Sequence, residues 1–381
     1  MTPTAGDTSA SRPATTTAGD ASASLSPTTA PPGEIGAPLP PTTRRDASAS
    51  VPRTTPQPVT PPALAPAFRP PRLREGDVVA VVSPSSPADA ARTEAGVALL
   101  RSWGLTVQVM PHALAVDPRL PYLAGTDAQR AEDFTAAWLD PDVRAVFCTR
   151  GGYGAQRFVD LVDWDSLRGA EPKVLVGFSD ATTLHQAVAS RLGVVTLHGP
   201  MIGGERFLAS SSAKERLRAT LFAPESQQVL ERAGAHPLVG AAASGNGWGT
   251  VAGVTTGGCL ALLATGVGTP HSLPGARGGL LLLEDVDRPV PAVDMLLTQL
   301  RRTGWLDGAA GVALGSWEGC GPTTTVEAVV TAALAPLGLP TVGELGFGHG
   351  PDPLTVALGV EAELDVERAR LELATPPLAP R

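Results

Sequence analysis

The chain has 381 residues, a formal charge of -8, 17% charged residues and 4% aromatic residues. That length suits about two to three domains, and the mild acidity argues against nucleic acid or an anionic membrane as the main partner. Few aromatic rings also argue against a stacking platform for single strands, and the three cysteines, Cys148, Cys259 and Cys320, form neither a zinc pattern nor a disulfide framework.

Residues 1–71 are dominated by Pro, Thr, Ala and Ser and lack Cys and Lys. Such a composition buries too little surface to offset ordering entropy, so a disordered tail is expected. The N-terminus shows no basic stretch followed by an apolar one, so no standard secretion signal is expected. No apolar run approaches the length of a membrane span. With widely spaced thiols, these features lead to the expectation of a cytoplasmic protein.

Globular sequence starts near Arg72. Residues 76–84 read as a buried strand, 88–104 as a helix stopped by Gly104, and 105–111 as a second strand. A helix over 127–141 and a strand over 143–154 that runs into a glycine loop follow. Next come a strand over 173–179 with a helix behind it, and a strand over 193–200. Strands alternating with helices predict a parallel, doubly wound sheet, with ligands outside the carboxyl ends of its strands. Ser83, Gly151, Gly152, Ser179 and His198 all fall at such ends. Beyond these, a helix is expected over 209–222, a Gly-rich strand-like crossover over 241–258, a strand over 278–286 and an amphipathic helix over 291–308. Strand-to-loop units are expected over 309–317 and 339–350. The expected fold class is α/β: a parallel, doubly wound domain and a second, smaller α/β domain at about 240–375.

Chemistry concentrates at a few positions. Ser179, in "GFSD", sits where a strand turns sharply into a helix, so it reads as a helix cap or as a nucleophile. A lysine partner is excluded by reach, because Lys173 lies about 20 Å back along the strand. His185, about 9 Å along the following helix, points to another face. His198, in "LHGP", and His349, between glycines in "GFGHG", both remain open as the base. Glu284 ends the run Leu280–Leu283, where it reads as strand-end exposure or as the orienter of a histidine. The loop Gly152-x-Gly154 lacks the third glycine of a dinucleotide fingerprint, since Arg157 stands there. The histidines show no metal-ligand spacing, and no metal or cofactor is expected.

The ordered segments "RGGYGAQRFVDLVDWDSL", "PKVLVGFSDATTLHQAV", "TLHGPM", "LLLEDVDRPVPAVDMLLTQL" and "GFGHGPDPLTVALGVEAELD" closely resemble the LD-carboxypeptidases. These serine peptidases include the muramoyltetrapeptide carboxypeptidases and the microcin C immunity peptidases. The resemblance covers about residues 73–375 and implies a Rossmann-like (flavodoxin-like) nucleophile domain over 72–235 and a smaller α/β C-terminal domain over 236–375. It implies a catalytic triad of Ser179, Glu284 and His349, and an oxyanion hole from the backbone N–H groups of Gly152 and Asp180. Arg150, Gly151 and His198 become candidate substrate contacts. It further implies release of the terminal D-alanine from peptidoglycan tetrapeptides in murein recycling, by a homodimer. The alternatives are a microcin C immunity-type peptidase cleaving a peptidyl-nucleotide amide, and a non-catalytic Rossmann-like binding module. Cys259, Arg288, Pro291 and Met295 depart from the family pattern, which bears on substrate side-chain and dimer contacts.

Overall fold

The structure is a computed structural model that describes residues 61–239 and 249–381. The tail expected over 1–71 lies outside the described residues as far as residue 60, and the crossover expected over 241–258 does so as far as residue 248. Residues 61–71 differ from the tail reading, for they are part of the folded body. Leu64, Ala67 and Phe68 donate backbone N–H groups to the carbonyls of Arg277, Gly359 and Gly193, and Phe68 accepts from Val195. These partners are far away in sequence, so no local periodicity reveals them, and an extended Pro-rich segment satisfies them as well as any strand.

Among the described residues the strands form two sheets. The first half of the chain runs β1 (Val78–Val82), α1 (Ala90–Ser102), β2 (Thr106–Val109), α2 (Asp127–Leu139), β3 (Val143–Cys148), α3 (Ala155–Phe158), α4 (Trp164–Arg168), β4 (Val174–Gly177), α5 (Thr182–Leu192) and β5 (Thr196–His198). Helices α6 (Glu205–Ala209) and α7 (Ser211–Phe222) then lead to β6 (Val229–Leu230) and β7 (His236–Val239). The second half runs β8 (Thr250–Cys259), α8 (Leu260–Gly266), β9 (Gly279–Glu284), α9 (Val290–Arg302), β10 (Gly311–Leu314), α10 (Thr323–Leu334), β11 (Thr341–Gly343), β12 (Val356–Leu358), β13 (Glu361–Asp365) and β14 (Arg370–Leu373).

The first sheet has the order β12-β5-β4-β3-β1-β2. Its five N-terminal strands are parallel and in the flavodoxin-like order, and β12 adds antiparallel to β5. The second sheet has the order β6-β14-β13-β8-β9-β10-β11-β7. Its centre, β8 to β11, is parallel, and its flanks are antiparallel. The fold is therefore α/β, as expected, with two differences. The second sheet has more strands than the first. And β12, inside the 236–375 segment, belongs to the first sheet. A three-residue strand with no flanking helix carries too weak a pattern to be placed from sequence.

Strand burial explains the runs. Leu280 to Leu283 are all within 1% of full burial, because Leu281 and Leu283 pack in one core with α8, α9 and α10 while Leu280 and Leu282 face the core shared with the first sheet. One core cluster joins Val79, Val81 and Phe147 of the first sheet to Leu280, Leu282 and Val342 of the second. Polar bonds add to this contact: Gln156 Nε2 donates to Thr265 Oγ1 at 2.8 Å, Ser190 Oγ to the His271 carbonyl at 2.8 Å, and the Cys259 N–H to Thr182 Oγ1 at 3.0 Å. The carboxyl ends of β4 and β9 thus meet.

A chain that begins at Arg72 is expected to melt several degrees below one that begins at Pro61, because it lacks these backbone pairings. Differential scanning calorimetry checks this, and equal melting temperatures would show that the extended segment adds nothing.

Candidate active site

Strand β4 ends at Gly177, and the chain turns through Phe178 into a 3-10 turn over Ser179–Ala181 before α5. Gly177 has no room for a side chain, since a Cβ there would stand 2.9 Å from Cys148 Sγ. Ser179 has φ +61°, a left-handed conformation that is strained for a residue with a Cβ. Its hydroxyl caps neither the turn nor α5, as the caps there are Phe178 and Ala181 without side-chain bonds. The half-buried Ser179 instead lines a cavity of about 260 Å³, together with Thr149, Arg150, Gly151, Gly152 and His349. A Cβ on Gly151 would come within 3.1 Å of Ser179 Oγ, so glycine lets the loop backbone approach the hydroxyl.

The Asp180 side chain ties this turn to the glycine loop. Its Oδ2 accepts the Ala155 N–H at 2.8 Å, at the start of α3 just beyond Gly154. Burial pushes the Asp180 carboxyl above its usual range, and the Ala155 hydrogen bond works in the opposite direction.

Glu284 closes β9 and is fully buried. Its Oε2 lies 2.5 Å from His349 Nδ1. Gly348, at φ +96°, makes that approach feasible, for a Cβ there would sit 2.6 Å from Glu284 Oε2. Arg206 of α6 donates a hydrogen bond to the His349 carbonyl, and the Phe178 ring packs 4.6 Å from the imidazole. Burial disfavours the charged imidazole. The Glu284 carboxylate outweighs it through charge and hydrogen bonding and holds the His349 pKa above the usual histidine value. An imidazole anchored by a carboxylate at Nδ1 keeps its other nitrogen for proton transfer.

Of the residues singled out in sequence, Ser179, His349, Arg150, Gly151 and Gly152 share the cavity, and Glu284 and Asp180 stand directly behind it. Among the described residues Arg150 bonds only to carbonyls, those of Gly151 at 3.2 Å and Pro87 at 3.4 Å. His198 is not on the cavity wall. It is 2% exposed, with Nε2 3.8 Å from Glu284 Oε1, so its ring faces the interior and not the cavity. Ser83 is also interior, bonded to Thr149 Oγ1 at 2.7 Å. His185 is buried with Nε2 2.8 Å from the Gly177 carbonyl, and burial lowers its pKa to about 4. Lys173 spends its ammonium on the Asp140 and Val143 carbonyls.

Cys259 is buried, with Sγ 3.5 Å from Asp285 Oδ1, and Arg288 Nε stands 3.6 Å from the same oxygen. Pro291 and Met295 line a separate surface hollow on α9. All three cysteines are buried and unpaired, and burial pushes the Cys148 thiol up to about 12, far from a reactive thiolate. Gly348 and Arg206 escaped the sequence reading. The glycines flanking His349 were the available signal for the first, and nothing local marks the second. Among the described residues no cluster of His, Cys, Asp and Glu is arranged to hold a metal ion, and no helix is long and apolar enough to cross a membrane.

A strained serine at a strand-to-helix turn and a carboxylate-held histidine on one cavity define the apparatus of a serine hydrolase. The family comparison agrees. The pattern of the LD-carboxypeptidase N-terminal domain matches residues 79–199, and that of the C-terminal domain matches residues 252–364. The chain belongs to the LD-carboxypeptidase family and is a serine-type carboxypeptidase. A protein of Streptomyces coelicolor with a provisional carboxypeptidase name is 53% identical over 81% of this chain and 97% of its own length. The murein tetrapeptide carboxypeptidase of Pseudomonas aeruginosa is 32% identical over 77% of this chain and 94% of its own. Among solved structures, the muramoyltetrapeptide carboxypeptidase of Oxalobacter formigenes is similar at TM-score 0.64, with 26% identity over 78% of this chain and 97% of that one. The microcin C7 self-immunity protein MccF in its wild-type apo state shares the fold at TM-score 0.70 and 22% identity, covering 84% of this chain and 100% of that one.

Gly348→Ala is expected to lower turnover roughly a hundredfold, the scale of about a 1 Å misplacement of a catalytic group. Steady-state kinetics beside a melting curve check this, and wild-type turnover would show that the Glu284–His349 approach tolerates a Cβ.

Proposed function

We propose that this enzyme releases the terminal D-alanine from murein tetrapeptides by covalent serine catalysis, with Ser179 as nucleophile, His349 as general base and acid, and Glu284 as the orienter of His349. The observation that carries this reading is the Glu284–His349 bond of 2.5 Å beside a cavity that Ser179 also lines. In the first step His349 takes the Ser179 proton while Oγ bonds to the carbonyl carbon of the L,D-peptide bond. The oxyanion that forms accepts from the backbone N–H groups of Gly152 and Asp180. Collapse breaks the C–N bond, and His349 returns its proton to the departing amine of D-alanine. Water, deprotonated by His349, then cleaves the acyl-serine ester and restores the enzyme.

Arg150 is the cation for the free terminal carboxylate, since its partners among the described residues are carbonyls and not a carboxylate. The names of the Pseudomonas and Oxalobacter relatives support murein tetrapeptide as the substrate. A cytoplasmic place in murein recycling and a homodimeric state belong to the same reading. So does a working division into a nucleophile domain, 72–235, and a domain carrying Glu284 and His349, 236–375.

The test is incubation with a murein tetrapeptide, with the released amino acid read by mass and chirality. D-Alanine supports the proposal. Cleavage only of a peptidyl-nucleotide amide would turn it toward the immunity-type activity, and no turnover toward a binding module. Ser179→Ala and His349→Ala are each expected to lower kcat by about 10³-fold or more, with the double variant little worse than either, because the residues act as a unit. Arg150→Gln is expected to raise KM for the free acid more than it lowers kcat, as loss of ground-state binding does. The base must be neutral to act, and its pKa is raised, so kcat/KM should fall on acidification with a midpoint above the usual histidine value of 6.5. A midpoint below that value would contradict the Glu284–His349 pairing.

A further inference from the structure

Glu284 is held from one side only, as far as the triad reading goes. Its Oε2 meets His349, while its Oε1 is buried and has no hydrogen-bond partner among the described residues. A bare carboxylate oxygen inside a protein is costly. The polar atom that faces it is His198 Nε2, at 3.8 Å, itself buried and equally without a partner. Two orphan atoms, one a potential donor and one an acceptor, thus stand opposite each other less than an ångström beyond bonding range.

His198 has little freedom to serve anything else. It ends β5, in register with Gly177 of β4 and Val356 of β12. Its ring is boxed by aromatic edges: Phe178 at 5.7 Å, Phe347 at 5.8 Å and His185 at 6.3 Å, each close to perpendicular. Phe178 touches His349 as well, so the two imidazoles share a wall. His185 in turn is fixed at Nε2 on the Gly177 carbonyl, at the base of the Ser179 turn.

We infer that His198 is a positioning residue for the reaction: its neutral imidazole donates Nε2–H to Glu284 Oε1 and so locks the carboxylate that orients His349. The inference rests on the proposed role of Glu284 and His349. Burial and the neighbouring His185 and His349 favour the uncharged ring, which is the form that donates without bringing a second charge to the site. The bond has a second consequence. A carboxylate with donors on both oxygens holds less negative charge toward His349 than one with a single donor. Removing the His198 donor therefore raises the proton affinity of the Glu284–His349 pair and moves the acidic limb of kcat/KM to higher pH. The other charged or titratable groups that bear on this pair are Asp285 and Arg206, near His349, and the Cys259 and Cys320 thiols, near Glu284. None of them changes in the variants below.

The test compares His198→Phe, which keeps the ring and removes the donor, with His198→Gln, whose amide N–H reaches a similar depth. His198→Phe is expected to lower kcat roughly a hundredfold, the scale of about a 1 Å misplacement, with KM little changed and the acidic limb shifted upward. His198→Gln is expected to recover most of kcat and return the limb toward its original place. Full activity in His198→Phe overturns the inference, and so does a loss of kcat with an unmoved limb and no recovery in His198→Gln. If His198→Phe does not fold, nitrogen-15 NMR of histidine-labelled wild-type enzyme decides. His198 is expected to stay neutral with Nε2 protonated over about pH 5 to 9, and a proton on Nδ1 instead overturns the assignment. That reading needs no turnover. It therefore separates failure of the His198 contact from failure of the triad, which would show as undiminished activity in Glu284→Gln and His349→Ala.

Discussion

The hydrogen bond between a fully buried Glu284 and His349 is the constraint on which the site depends. Removing a carboxylate from water costs several kcal/mol, and the cost is offset only by a partner held at close range. Much of the surrounding structure is arranged to supply that partner. Strand β9, covered on both faces, brings the carboxylate to its end with no solvent to drain its charge. Gly348 removes the side chain that would stand between the two groups. Arg206 holds the histidine by its backbone, and the tilted Phe178 ring packs against its imidazole. The result is an imidazole held at Nδ1 with a raised affinity for protons, which suits the base proposed for the Ser179 hydroxyl.

Ser179, the proposed nucleophile, comes from the other sheet and is fixed by different means. Ser179 adopts a strained positive φ where the chain turns from β4 through a 3-10 turn into α5. Strain of this kind persists only where neighbours over-determine it. Here they do: Asp180 anchors the turn to α3, and the His185 imidazole holds the Gly177 carbonyl. The serine and the histidine then meet because the two sheets share one core, with Thr182 of α5 bonded to the backbone of Cys259 at the end of β8. A site assembled from two sheets needs such a contact to keep its parts in register, and a continuous apolar core provides it more firmly than surface ion pairs would.

Much of this was legible in the sequence wherever a signal is local. The alternation of apolar runs and helical periods from residue 76 to 200 led to the parallel, doubly wound sheet, and the turn at "GFSD", the carboxylate after four leucines and the glycine-flanked histidine pointed to Ser179, Glu284 and His349, the side chains proposed to act. What stayed hidden depends on partners distant in the chain. The extended segment 61–71 looked like tail because its hydrogen bonds go to residues near 193, 277 and 359. Strand β12 was missed because three residues hold no usable period. Helix α10 was not anticipated either, though it covers β10 with Val326 and Val330. His198 was legible as a rim residue by register alone; that its ring turns inward to face Glu284 follows from packing with Phe178 and Phe347, which no spacing encodes.

The state of the His349 ring tests the account most directly, since every step assigned to the site presumes it. Nitrogen-15 NMR titration of labelled enzyme reads each ring nitrogen separately. The account predicts Nδ1 protonated throughout, with Nε2 gaining its proton at a midpoint above 6.5 in the wild type, and that midpoint dropping in Glu284→Gln. An Nδ1 that titrates while Nε2 keeps its proton, or a midpoint indifferent to Glu284, would contradict it.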